Sequence, residues 1–164
     1  MSRVFQLLMK IILLSGLLLS ASCSSVDWQG FINVPTTPYW EIQDSRLPEI
    51  AMIRMIRTGA NVVIYNPVIC QKIGDACGFF RLHAFAHDRL IHQILPPEAY
   101  PLLSEAQADC WAAKYGKPHE IYAAVQLISD EDRDKNLKIR GNPAQRAEQI
   151  RACAIDNGNW IADQ

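Results

Sequence analysis

Apolar positions along this chain fall into one compact leading run and then into blocks with helical or strand spacing. The leading run, Ile11 to Leu19, is apolar apart from Ser15 and Gly16 and follows Arg3 and Lys10. A charged stretch followed by a short apolar one is the pattern of a secretion signal. The run gives way to Ser20-Ala21-Ser22-Cys23-Ser24-Ser25, short of the roughly 20 apolar residues that a bilayer-spanning helix needs. Residues 1–22 are therefore expected to be a removable signal. Residues 23–48 carry Gly30, Pro35 and Pro38 and are expected to be a lead-in with one short strand near Phe31 to Val34, its aromatic Trp28, Tyr39 and Trp40 packing onto the domain.

From residue 49 the pattern predicts a single domain, 49–164. Glu49 to Thr58 has helical composition, with Gly59 as its stop. Asn61-Val62-Val63-Ile64-Tyr65 is β-branched and aromatic and predicts a strand, with Asn66-Pro67 as a turn at its end. Between Cys77 and Leu95 there is no proline, and Phe79, Phe80, Leu82, Phe85, Leu90, Ile91, Ile94 and Leu95 surround the segment. An element apolar on most sides is a buried central helix, closed here by Pro96-Pro97. Ser104 is expected to cap a helix to about Tyr115, followed by Gly116. Pro118 to Ser129 predicts another helix, Asp130 to Gly141 an exposed charged linker, and Asn142-Pro143 the start of a last helix to about Asp156. The predicted fold is mainly α (α+β): about five helices with a short strand element.

Composition narrows the compartment and the partners. Removing the leader leaves about 140 residues, the size of one domain with one core. Four cysteines remain, Cys70, Cys77, Cys110 and Cys153; an even count in an exported chain predicts two disulfides. Of the three possible connectivities we expect Cys70 with Cys77, a short loop, and Cys110 with Cys153, tying the last helix to the middle of the domain. No CxxC pair is present to suggest a cysteine zinc site. Two cuts of the leader stay open: an ordinary one after Ser22, and a lipoprotein one just before Cys23, although Ser20 stands where a lipobox usually has leucine. The expected location is periplasmic, or anchored by lipid on Cys23 in a bacterial envelope. Sixteen basic and seventeen acidic residues are interspersed, so no nucleic-acid footprint is expected, and a membrane is reached only through that anchor.

Inside the central helix lies His83-Ala84-Phe85-Ala86-His87, two imidazoles one helical turn apart that can close on one ion. Such pairs are also found as ordinary polar side chains at the edge of a core. The next helix opens with Glu105-Ala106-Gln107-Ala108-Asp109. Glu105 can complete a ligand set of two histidines and one carboxylate with an open fourth position. Asp109, one turn further, can accept a hydrogen bond from the outer nitrogen of a liganding histidine.

The layout of Tyr65-Asn66-Pro67, Phe79-Phe80 before the His-x-x-x-His helix, His92, and Glu105-x-x-Ala108-Asp109-Cys110 resembles the compact zinc metallopeptidases of the gluzincin type. That resemblance spans roughly a third of the chain. It implies a zincin-like core, zinc on His83, His87 and Glu105, Asp109 as supporting acid, and His92 following the ligand helix without binding metal. The family motif is HExxH, whose glutamate takes the proton from the zinc-bound water; here that position is Ala84. Losing a positioned base typically removes on the order of 10² to 10⁴ in rate. The resemblance, with this departure, implies no catalytic residue and a degenerate peptidase scaffold that binds a metal, a peptide or protein partner, or both, without efficient hydrolysis. Two further readings stay open: a zinc hydrolase using Asp88 as substitute base, and a helical domain with no metal.

Overall fold

The computed structural model describes residues 39–92, 101–133, 135, 137 and 141–161, all within one compact unit, Thr37–Gln164. The predicted leader, Cys23, Trp28 and the strand at 31–34 lie outside these residues. Three strands form one sheet: β1 (Glu41–Gln43), β2 (Ala51–Met55) and β3 (Asn61–Tyr65). Five helices follow: α1 (Pro67–Ile73), α2 (Ala76–Arg89), α3 (Pro101–Tyr115), α4 (Pro118–Ser129) and α5 (Pro143–Asp156). The mainly helical α+β class expected from the sequence is the one found.

β3 is the central strand, parallel to β1 with Glu41 opposite Val63 and antiparallel to β2 with Met52 opposite Ile64. Val62 and Val63, on opposite faces, are both buried, as expected of a strand covered on both sides. Along 39–42 the strand period of two divides the side chains between two faces. Tyr39 stacks on Phe85, with ring centroids 4.4 Å apart, and Glu41 pairs with Arg81, both partners on α2. Trp40 turns the other way and is 72 % exposed, against the expectation that it packs onto the domain.

The helix expected over Glu49 to Thr58 is instead β2. Ten residues of helical composition are too few to hold a helix by themselves, whereas pairing with β3 satisfies the same backbone groups. Gly59, expected to stop a helix, turns the hairpin with φ 82°. The backbone N–H of Gly59 donates to Ile56 O and that of Ile56 to Ala60 O, both at 2.9 Å. Asn66-Pro67 likewise starts α1 where a turn was expected. Asn66 Oδ1 accepts from the N–H groups of Val68 (2.9 Å) and Ile69 (3.2 Å), while its Nδ2 donates to Leu47 O (2.7 Å). Pro67 fills the first helical position, where no N–H is missed.

Further on, α4 and α5 run as predicted, and Asn142 Oδ1 accepts from Gln145 N–H at 3.1 Å. Helix α3 begins at Pro101, so Ser104 lies inside it and is not its cap. Its far end is covered by Asn159, whose Nδ2 donates to the carbonyls of Ala113 (2.9 Å) and Gly116 (2.8 Å). Phe79, Ala112, Ile121, Ala124, Ile128 and Ile150 are fully buried where α2 to α5 meet. Both expected disulfides are present: Cys70–Cys77 joins α1 to α2, and Cys110–Cys153 joins α3 to α5, with Cα separations of 5.0 and 5.2 Å. They fit an oxidising location. Among the described residues no helix is long and apolar enough to cross a membrane.

Helix α2 stops at Arg89, six residues before the predicted end at Leu95. The chain leaves it by a Schellman turn: Ile91 N–H donates to Asp88 O (3.1 Å) and His92 N–H to His87 O (3.0 Å). The left-handed position of that turn, normally glycine, is Ile91 with φ 58°. A β-branched residue there costs about 1–2 kcal/mol, and the side chain, 58 % exposed, recovers little by burial. Ile91→Gly is therefore expected to raise metal-free stability by about 1 kcal/mol, measured by urea unfolding.

Candidate metal centre

The centre is built where α2 meets α3. Ala86 and Ala108 are fully buried beside Trp111, and such small side chains let two helices approach closely. On α2 the helical period brings His83 and His87 to one face; on α3 it aligns Glu105 and Asp109. The structure brings together His83, His87 and Glu105, whose ligand atoms all lie within 4.8 Å of one another. His83 Nε2 is 3.1 Å from His87 Nε2 and 3.3 Å from Glu105 Oε2, and His87 Nε2 is 3.7 Å from Glu105 Oε1.

These spacings pass a simple test. Ligands at about 2.0–2.2 Å from a tetrahedral zinc stand about 3.3–3.6 Å apart. The three separations lie close to that edge length, and the donor set of two imidazoles and one carboxylate suits a divalent cation. The trio can therefore hold a metal ion.

Asp109 lies beside the outer nitrogen of His83. His83 Nδ1 lies 2.8 Å from Asp109 Oδ1, which keeps a proton on Nδ1 and frees Nε2 for the shared space. The approach is bent, so Nδ1 has no well-aligned acceptor; the contact acts mainly through charge. Asp109 is almost fully buried and its carboxylate is held by Arg146 on α5, with Nε to Oδ2 at 2.7 Å and Nη2 to Oδ1 at 2.8 Å. Nothing in the spacing of Arg146, 37 residues after Asp109, connects the two in the sequence. His92 and Gln107 also join the site: His87 Nδ1 is 3.0 Å from His92 Nδ1, and His92 Nε2 is 3.0 Å from Gln107 Oε1.

Electrostatics divide the two ligand imidazoles. Burial alone would lower His83, but the Asp109 and Glu105 carboxylates outweigh it and raise its pKa above the usual histidine value. Burial, then the neighbouring His83 charge, lowers His87 to about 4. Asp109 is held below the usual carboxylate range despite burial, because the His83 ring lies against it and the Arg146 guanidinium hydrogen-bonds its charged form. Just above pH 6.5 His83 thus carries a second proton, on Nε2, facing the lone pair of neutral His87 Nε2. A cation entering the trio takes that proton's place.

Ala84 is buried, only 3 % exposed, and its methyl group offers no proton acceptor. Asp88, one turn further along α2, accepts a hydrogen bond from Asn61 Nδ2 on β3 at 2.5 Å. That contact draws its carboxylate toward the strand. No known protein family matches this chain, and no curated protein or solved structure matches it.

Proposed function

We propose that this chain is an exported, degenerate zinc-metallopeptidase-like protein, which binds zinc through His83, His87 and Glu105 and holds a peptide or protein partner without efficient hydrolysis. The observation that carries the reading is the convergence of two Nε2 atoms and one carboxylate on a common point beside a helix position, Ala84, that has no base. A bound divalent cation would supply Lewis acidity there. The chain's own residues bind it and orient the ligand rings. The Asn61 contact of Asp88 counts against the alternative of Asp88 as substitute base. Peptide binding is supported by β2, an edge strand among the described residues that packs beside the ligand helix; an exposed edge is where extended peptides add to a sheet. Export to an oxidising envelope is supported by the two disulfides.

Zinc titration with elemental analysis tests the metal. The purified protein is expected to take up one equivalent of zinc (about one), and Glu105→Ala and His87→Ala to lose that site while keeping the wild-type circular dichroism. A metal-free wild type that takes up no zinc would overturn the reading.

Proton counting tests the electrostatics. His83, with its raised pKa, keeps its proton as pH rises past 6.5, and His87, at about 4, has already lost its own. Zinc uptake just above pH 6.5 is therefore expected to release about one proton, read from the dependence of the binding enthalpy on the ionisation enthalpy of the buffer. Release of two protons, or of none, would contradict the assignment of the proton to His83.

A further inference from the structure

We infer that His92, backed by Gln107, is a positioning residue for His87: it fixes the imidazole in the tautomer whose Nε2 is free to ligate metal. The inference rests on the metal-binding reading for its purpose, but its geometry is independent of it. A neutral imidazole has one N–H and one lone pair, and a hydrogen bond at one nitrogen decides which nitrogen can bind metal.

The chain of contacts allows one assignment. Gln107 Oε1 only accepts, so His92 Nε2, 3.0 Å away, carries the hydrogen. The lone pair of neutral His92 then sits on Nδ1, 3.0 Å from His87 Nδ1. That nitrogen of His87 must be the N–H, which leaves its Nε2 as the lone pair facing His83 and Glu105. Each ligand histidine thus has its outer nitrogen directed at a partner, Asp109 for His83 and His92 for His87. One partner is an anion on α3, the other a neutral ring from the turn after α2.

The backbone is arranged for this contact at a cost. His92 reaches back over His87 because the helix ends in the Schellman turn, with its N–H on His87 O and the two rings edge to face at 5.1 Å. The residue that makes the turn is Ile91 in the left-handed region, where glycine would sit without strain. Backbone strain at a side chain that contacts a candidate ligand is where a functional constraint is expected. Without its acceptor, and once His83 Nε2 has lost its proton, His87 is free to carry its own on Nε2, the nitrogen the metal needs.

The test compares His92→Phe, which keeps a ring and removes the acceptor, with His92→Gln, whose carbonyl can still accept from Nδ1–H. Long-range ¹H–¹⁵N NMR of the metal-free protein, recorded at a pH where His83 is neutral, is expected to show His87 protonated on Nδ1 in the wild type and in His92→Gln, and shifted toward the Nε2–H tautomer in His92→Phe. Zinc affinity is expected to fall roughly 10- to 100-fold in His92→Phe and to recover most of that loss in His92→Gln. Gln107→Leu, a substitution on the exposed side of the relay, is expected to move both readouts in the same direction by less, and serves where His92→Phe does not fold. An unchanged His87 tautomer and an unchanged zinc affinity in His92→Phe would overturn the inference, as would a His92→Gln variant as weak as His92→Phe. If the wild type binds no zinc, the metal reading fails by itself, and the NMR comparison still decides the role of His92.

Discussion

Replacing Arg146 by methionine is expected to destabilise the domain by about 3–5 kcal/mol, a fall in melting temperature on the order of 10–20 °C. The reason lies in Asp109. Its carboxylate is almost completely buried, and both of its oxygens are held by the Arg146 guanidinium at 2.7 and 2.8 Å. Methionine keeps much of the apolar stem but removes both hydrogen bonds of the guanidinium and leaves the buried anion to the His83 ring alone, and an undercompensated buried charge is far more costly than the loss of the pair as a whole. The double variant Arg146→Met/Asp109→Asn should therefore recover much of the loss, since the amide has no charge to strand. Calorimetric melting of the two variants and of Asp109→Asn alone closes the cycle. Equal stability of Arg146→Met and wild type would show that His83 and solvent neutralise Asp109 without help from α5. The same variant bears on function, because Asp109 is what fixes the proton of His83.

Placing a carboxylate at position 84 is the second large effect. In zinc-loaded protein, Ala84→Glu is expected to raise hydrolysis of an unstructured peptide pool by about 10² to 10⁴ over wild type, the range a positioned base supplies. Ala84→Gln, with nearly the same shape and no proton acceptor, should remain silent. Ala84 is buried, so either side chain has to extend toward the ligands and some stability is lost. The glutamine variant shares that loss and separates it from chemistry. Silence of Ala84→Glu with zinc bound would mean that substrate does not reach the centre, leaving binding as the role of the scaffold.

The convergence of His83, His87 and Glu105 was legible in the sequence because it depends on local periodicity. His83 and His87 are one helical turn apart, Glu105 and Asp109 likewise, and two such pairs on consecutive helices need only one helix contact to converge. Ala84 was legible for the same reason, since its place is set by its neighbour His83. Helices α4 and α5 were found at their predicted bounds because proline and asparagine mark their starts through the backbone itself. The strand β3 announced itself by β-branched residues, which favour a pleated surface over a helix.

Other features depended on partners distant in the chain, and no local pattern encodes them. Residues 51–55 have a composition suited to a helix, and only the hydrogen-bonding edge of β3 makes them a strand. Arg146 reads as an ordinary charge in the first turn of α5 until that turn is packed against Asp109. His92 reads as a residue beyond the ligand helix, and it is the left-handed turn at Ile91 that brings it back over His87. Spacing along one helix is written in the sequence because the helical repeat is constant. Which side chains meet across elements is decided by packing, where burial of apolar surface selects the arrangement and each buried charge has to find its partner within it.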